Sequence, residues 1–404
     1  MDFRDSPEEA AFRQEVRAFV TREYKGDEGE AQSAYQAAAQ GGAAAMQAYK
    51  GWMTKLATKG WVAPAWPKEY GGAGMTIMEQ FIFNEELAQA RVPRPGGIGI
   101  TMAGPTIIVY GSDDQKKQHL SGMLTGGKIW CQGFSETGSG SDLASLQTRA
   151  VRDGDDYIVN GQKIWTTGAQ YADRMILLAR TDPEAPKHKG ISYFLLDMKA
   201  PGVSVRPLVN MAGTSGFNEV FFDNVRVPRK DLLGEENRGW YVGTTTLDFE
   251  RSSIGTSIAQ GQSVEDLIAW VKQRKDGPLH PTVRLELAER AIEASAARLM
   301  SYQVISLQNR GLVPNHEASA VKIYAAELNQ RITNTAIKVA GLFGQLDPSR
   351  KSDGEKQSAT SRYAPNKGRF ARTYLQAVAS TIAGGTSEIN RNIIASRGLG
   401  LPRD

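Results

Sequence analysis

The chain has 404 residues, 48 basic against 44 acidic side chains and a formal net charge of +4, which over this length is no nucleic-acid or membrane footprint. A hydrophobic fraction of 41% with 23% charged residues is an ordinary globular composition, long enough for two or three cores. A single cysteine, Cys131, and four histidines (His119, His188, His280, His316) exclude an internal disulfide and leave a thiolate zinc site almost without ligands. No metal is expected, and chemistry must rest on carboxylates, hydroxyls or an organic cofactor.

Residues 1–125 read as helical. Ser6 caps a first helix, Pro7 fits its first turn and Glu9 completes a capping box ahead of Phe12, Val16, Phe19 and Val20. A signal peptide would start basic and turn continuously apolar, and no apolar run reaches membrane-spanning length. The expected compartment is the cytoplasm, with neither membrane nor nucleic acid as a partner. Residues 31–48 are rich in Ala and Gln, broken by Gly41-Gly42, and helix-prone. Residues 60–72, from Gly60-Trp61 to Gly71-Gly72, must be loop, and helical spacing returns from Met78 to Ala90.

Residues 126–237 read as short strands. Asp153-Gly154-Asp155 is a turn, Asn160-Gly161 signals another tight turn, and Met175–Ala179 and Ile191–Leu196 are buried strands. Glu219–Asp223 and Val225–Pro228 close the zone. From 238 to 404 helices return, over Val264–Val271, Thr282–Gly311 and Asn315–Leu342, with a last one from Thr386 to Ala395. Residues 347–369 are polar and basic and read as a loop or excursion. The order is α, β, α without βαβ alternation: an α+β multidomain chain with an N-terminal α-helical domain, a middle antiparallel β-domain and a C-terminal helical domain.

Standard motifs fail. Gly138-Ser139-Gly140-Ser141-Asp142-Leu143 lacks the third glycine of a Rossmann site, Gly133-Phe134-Ser135-Glu136-Thr137 breaks the hydrolase elbow, and there is no P-loop and no H-E-x-x-H. Three segments remain. Residues 130–142 carry small residues and hydroxyls that let a backbone approach a flat or phosphorylated ligand. Residues 161–168 set Trp165 beside Thr166 and Thr167, a ring to stack and hydroxyls to donate. Gly384-Gly385-Thr386-Ser387 opens a helix whose free amides suit an anion or oxyanion. Each has an ordinary reading too: a Gly/Ser turn, a core tryptophan, a capped helix start.

In this order the segments resemble the acyl-CoA dehydrogenase family. The resemblance spans nearly the whole chain and includes Trp66-Pro67-Lys68-Glu69-Tyr70-Gly71-Gly72, Phe134-Ser135-Glu136, Asn160-Gly161-Gln162-Lys163-Ile164-Trp165, Asp223-Asn224-Val225-Arg226-Val227-Pro228 and Gly385-Thr386-Ser387-Glu388-Ile389. It implies a C-terminal four-helix bundle, FAD as cofactor, and conversion of an acyl-CoA thioester to the trans-2-enoyl-CoA. It implies an electron-transfer flavoprotein-type acceptor, and a homo-oligomer or a heterotetramer with a related subunit.

The same resemblance assigns roles. Phe134, Ser135, Gly140 and Ser141 meet the flavin edge and diphosphate, Trp165 and Thr167 flank the ring, and Thr386 and Glu388 reach the adenosine half. Many members carry the catalytic glutamate just before the glycine of the last motif, where this chain has Gly384. A subset places it on an earlier helix before an arginine, here Asp248-Phe249-Glu250-Arg251. Glu250 is then the α-proton base, the Gly384 amide binds the thioester oxygen, and Arg251 and Asp248 contribute to substrate binding. Glu136 reads as structural.

Departures concern the half of the flavin site that a neighbouring subunit supplies. The usual arginine is displaced to Arg274 and the usual glutamine is Gly341. Arg274, Arg310 or a residue of 347–369 substitutes, or a related partner subunit completes the site, as in bacterial enzymes acting on sterol side-chain CoA thioesters. The alternatives are an acyl-CoA oxidase, a nitroalkane oxidase-like enzyme and a non-catalytic partner subunit.

Overall fold

The computed structural model describes residues 4–25, 47–250, 255–274, 277–347 and 363–402, with the side chains of 248–250 and 255–256 outside the description. Most of the Ala/Gln stretch 31–48, most of the 347–369 segment and Arg251 lie outside the described residues. The chain forms two compact units. One holds residues up to 252 except 211–213, and the other holds the remainder.

In the first unit, α1 (Pro7–Glu23) starts as the sequence predicts: Glu9 N donates to Ser6 Oγ, and Glu9 Oε2 accepts from Ser6 N. Its apolar face, Val16, Phe19 and Val20, packs on Trp52 of the helical stretch 47–57 and on Trp61. α2 (Ile77–Gln89) buries two carboxylates, Glu85 and Glu86, beneath that face. Arg13 satisfies both at 2.7 and 2.8 Å, and Arg17 adds a second cation to Glu86. Charged residues are buried only when so paired. α3 (Gly104–Tyr110) and α4 (Asp113–Leu124) complete this layer.

The sheet contains β1 (Trp130–Gly133), β2 (Arg149–Asp153), β3 (Asp156–Lys163), β4 (Arg174–Arg180), β5 (Ile191–Asp197), β6 (Val203–Leu208) and β7 (Phe217–Pro228), in the order β1-β4-β2-β3-β7-β6, with β5 also on β4. It is antiparallel through β2-β3-β7-β6 and β4-β5, while β1 and β2 pair with β4 in parallel. β4 and β5 read as continuous apolar runs because both faces are covered. Ile176, Leu178, Tyr193 and Leu195 join the core of the N-terminal helices, and Met175, Leu177, Phe194 and Leu196 join the core under β3 and β7. Residues 217–228, expected as two strands, are one.

Asn160-Gly161 is not a tight turn. β3 runs through it, and the register with β7 shifts there. Gly161 sits at φ +148, where a Cβ would lie 2.7 Å from Thr148 Cα. Asn160 Oδ1 accepts from Asn224 N across the pair. The dipeptide that closes hairpins serves here as a bulge, since its neighbours in space leave no room for a side chain.

His119 on α4 is buried edge-on to Trp130, ring centroids 5.3 Å apart, with no partner for Nε2 among the described residues. Burial, then the nearby cations Arg174, Lys128 and Lys230, pulls it from 6.5 to about 4. The native state therefore binds fewer protons than the unfolded chain between those values, so stability is lost as pH falls through the window, by about 3 kcal/mol at most. Replacing His119 by phenylalanine should flatten the fall in thermal midpoint between pH 7 and pH 4.5. An unchanged pH dependence would show that other groups dominate.

α5 (Gly239–Glu250) packs on β5 and α3 within the first unit. Thr246 Oγ1 bonds to Thr106 Oγ1 at 2.9 Å and to the Tyr193 hydroxyl at 3.2 Å, and Thr245 meets the Tyr110 hydroxyl at 2.9 Å. In the second unit, α6 (Gly255–Lys272), α7 (Pro281–Asn309) and α8 (His316–Ala340) pack mutually, and α9 (Arg369–Ala377) closes on α8. Val264, Ala294, Leu328 and Ile332 form one core layer, and Leu267, Leu287, Val339 and Phe370 another. α10 (Ser387–Ile393) follows. No described helix is long and apolar enough to cross a membrane.

Candidate active site

The first unit brings two of the three informative segments together. Ile164 N donates to Ser135 O at 2.9 Å, lacing the end of β3 to the loop after β1. Lys163, wholly buried, donates to Phe134 O at 2.9 Å and to Glu136 Oε1 at 2.8 Å. Glu136 also accepts from the amides of Gln147 and Thr148 at 2.6 and 2.9 Å. These contacts hold its carboxyl below the usual range against the opposing effect of burial, and burial in turn pulls the Lys163 ammonium down to about 8. Glu136 thus braces its loop, and Lys163, given no role from sequence, is the brace's other half. The only sequence signal for it is a lysine at an inward position of a strand.

The braced loop leaves donors free. Among the described residues nothing accepts from the amides of Gly138, Gly140 and Ser141, and the Ser135, Ser141 and Thr167 hydroxyls make no bond. A Cβ on Gly138 or Gly140 would meet nothing within 4 Å. Phe134 is buried beneath, edge-on to Tyr193. Trp165 is 60% exposed, at φ +61, with its ring against Phe217. An indole held in solvent by a left-handed backbone is not a core tryptophan. Next to it Thr166 is fully buried, its amide donating to Asn218 O at 3.0 Å. The arrangement offers an exposed aromatic face and a row of unpaired amides and hydroxyls.

In the second unit, Gly384 and Gly385 stand at φ +66 and +84 before Thr386, which caps α10 by accepting from Ile389 N. The Gly385 carbonyl accepts from Lys322 on α8 and from Asn390 Nδ2. A second residue that sequence reasoning missed, Lys322, therefore fixes the double-glycine turn. Glu388 is exposed beside Arg391, which also pairs with Glu327 on α8 at 2.5 Å. The Glu388 carboxyl lies below its ordinary range through its own backbone amide and the Thr386 hydroxyl. Arg274 is not left reaching outward: its guanidinium donates to Val339 O and lies over Trp270. Glu250 ends α5; its side chain and that of Asp248 are outside the description. Cys131 is fully buried, and burial pushes its thiol up, consistent with packing.

Residues 6–127, 131–225 and 237–399 match in turn the N-terminal, middle and C-terminal domains of acyl-CoA dehydrogenase. The chain belongs to the acyl-CoA dehydrogenase family. It is therefore an oxidoreductase acting on acyl-CoA, with FAD as cofactor. The acyl-CoA dehydrogenase FadE34 of Mycobacterium tuberculosis is 38% identical over 86% of this chain, which spans only 46% of that relative's length. FadE26 of the same organism is 35% identical, with 98% of each chain covered. Among solved structures, the Tcur3481-Tcur3483 steroid ACAD superposes with a TM-score of 0.84 at 33% identity, and the ChsE4-ChsE5 complex of Mycobacterium tuberculosis with 0.81 at 34%, both covering 100% of each chain. The dehydrogenase has residues that fit FAD: unpaired amides and open glycines suit its diphosphate, and the exposed indole suits a flat ring.

Proposed function

We propose that this dehydrogenase converts a sterol side-chain or similarly branched acyl-CoA thioester to its trans-2-enoyl-CoA, with Glu250 as the base that takes the α-proton. The observation that carries the choice of base is the glycine turn. Where many family members bear their glutamate, this chain has Gly384 in a left-handed conformation and no carboxylate. Glu250 ends a helix anchored one turn earlier by Thr245 and Thr246.

A carboxylate removes a C–H proton only if its site raises its pKa and stabilises the charge that develops on the thioester oxygen. The α-C–H bond breaks as an O–H bond forms on Glu250, and the Gly384 amide donates to the thioester oxygen. Arg251 and Asp248 orient the CoA chain. Phe134, Ser135, Gly140, Ser141, Trp165 and Thr167 hold the flavin ring and diphosphate, and Thr386 and Glu388 hold the adenosine half. When bound, FAD supplies the acceptor for the β-hydride, and an electron-transfer flavoprotein-type protein takes the electrons.

The steroid ACAD and ChsE4-ChsE5 structures support the substrate class and an assembly with a related subunit. The engagement of Arg274 within its own unit supports the second point, because that arginine is then not free to complete a neighbour's flavin site. The test is anaerobic titration of the FAD-loaded enzyme, with and without a co-expressed related subunit, using straight-chain, branched and sterol side-chain CoA thioesters. Flavin absorbance should bleach with the sterol or branched thioesters. Bleaching by straight chains alone would remove the substrate class, and full activity of the isolated chain would remove the partner.

A further inference from the structure

The helical layer of the first unit contains a pocket of about 60 Å³ with Met53, Ile100 and Met123 among its walls. Among the described residues its walls share only Trp130 with the 130–142 segment and none with 164–168 or α5, so it lies apart from the loop and indole described above. The volume is several times what one water needs, and far below that of a long acyl chain or CoA.

The Thr125 hydroxyl on its wall donates to Ser121 O, but four other polar side chains there lack partners among the described residues. Trp130 is 2% exposed, and its Nε1 has no hydrogen-bond acceptor among the described residues. The neighbouring ring atom Cδ1 faces Gly99, another wall, where a Cβ would lie 3.3 Å away. A buried N–H without an acceptor is rare in a native fold and points to something bound. The Tyr49 hydroxyl makes no hydrogen bond among the described residues, and burial alone raises it to about 12. Lys50 and Lys128 also line the pocket, and neither forms an ion pair among the described residues. Among the described residues no aspartate or glutamate lines it. The unpaired side-chain groups are therefore all donors, two of them cationic, around an apolar floor.

We propose that this pocket binds a short-chain aliphatic carboxylate, its hydrocarbon end against Met53, Ile100 and Met123 and its carboxylate among the donors Tyr49, Trp130, Lys50 and Lys128. An anion supplies the acceptors that the walls lack, and two lysines select it over an alcohol of equal length.

The test is calorimetric titration of the FAD-loaded full chain with butyrate, butan-1-ol and butylammonium. Butyrate should bind at least tenfold more tightly than the other two. The Lys50→Met/Lys128→Met double variant should weaken butyrate about tenfold while leaving flavin content and thermal midpoint unchanged, since both lysines are exposed. Trp130→Phe should weaken it as well. Binding should persist with acyl-CoA at saturation. Equal affinity for the alcohol, indifference to the lysine changes, or no measurable binding would overturn the proposal. Loss of butyrate binding on acyl-CoA saturation would overturn it too, by assigning the pocket to the substrate site.

Discussion

Replacing Glu250 by glutamine is expected to lower turnover by about 10²- to 10⁴-fold, the usual worth of a positioned base. The amide keeps the size of the side chain and cannot accept the α-proton. FAD content and acyl-CoA binding should stay normal, because α5 is held through Thr245 and Thr246, both earlier on the helix. The measurement is single-turnover flavin reduction beside an equilibrium binding titration. Loss of rate with intact binding identifies an interaction made only as the proton leaves. Unchanged turnover with normal flavin content would remove Glu250 as the base and direct attention to another carboxylate.

The second large effect is structural. Lys163→Met should cost about 3–5 kcal/mol, as breaking a buried pair from one side does. It should also strip FAD from the enzyme. Methionine fills the space, but Glu136 is left with two amides and no cation, and the Phe134 carbonyl loses its donor. On the scale of a domain this size, that is a drop in thermal midpoint on the order of 10 °C. The double variant Lys163→Met/Glu136→Gln should recover part of the loss, because no unpaired charge remains. The pair also has an acid limit. The folded Glu136 carboxyl lies below its ordinary 4.5, so the stability it contributes is present above that value and lost as pH falls through its lowered value. A single variant as stable and as flavin-rich as the parent would show that the brace is dispensable.

Trp165 shows how a motif residue can be legible as a type and illegible as a geometry. A tryptophan on a strand is usually core, and sequence periodicity would have buried it. Its exposure follows from a positive φ and from Asn218, which draws the backbone of Thr166 inward. The double-glycine turn is similar: Gly384-Gly385 is visible in the chain, but its anchor, Lys322, lies 63 residues away on another helix. Lys163 belongs to the motif at 160–165, but its role is set by the Phe134 carbonyl that its ammonium meets in space.

What the sequence determined by itself are the features whose causes are local. The capping box of Ser6 and Glu9, the α-β-α order, the long helices of the second unit and the Gly154 turn follow from residues within a few positions of one another. Only the tertiary structure decided the bulge at Asn160-Gly161, the parallel ladder between β1 and β4, the covering of both faces of β4 and β5, and the buried Lys163–Glu136 brace. Each depends on what another part of the chain puts opposite. Thr148 and Asn224 turn a hairpin signal into a bulge, and the helices above β4 allow an unbroken apolar run. A buried carboxylate makes a buried lysine tolerable, because desolvating either charge alone costs more than local propensity can repay.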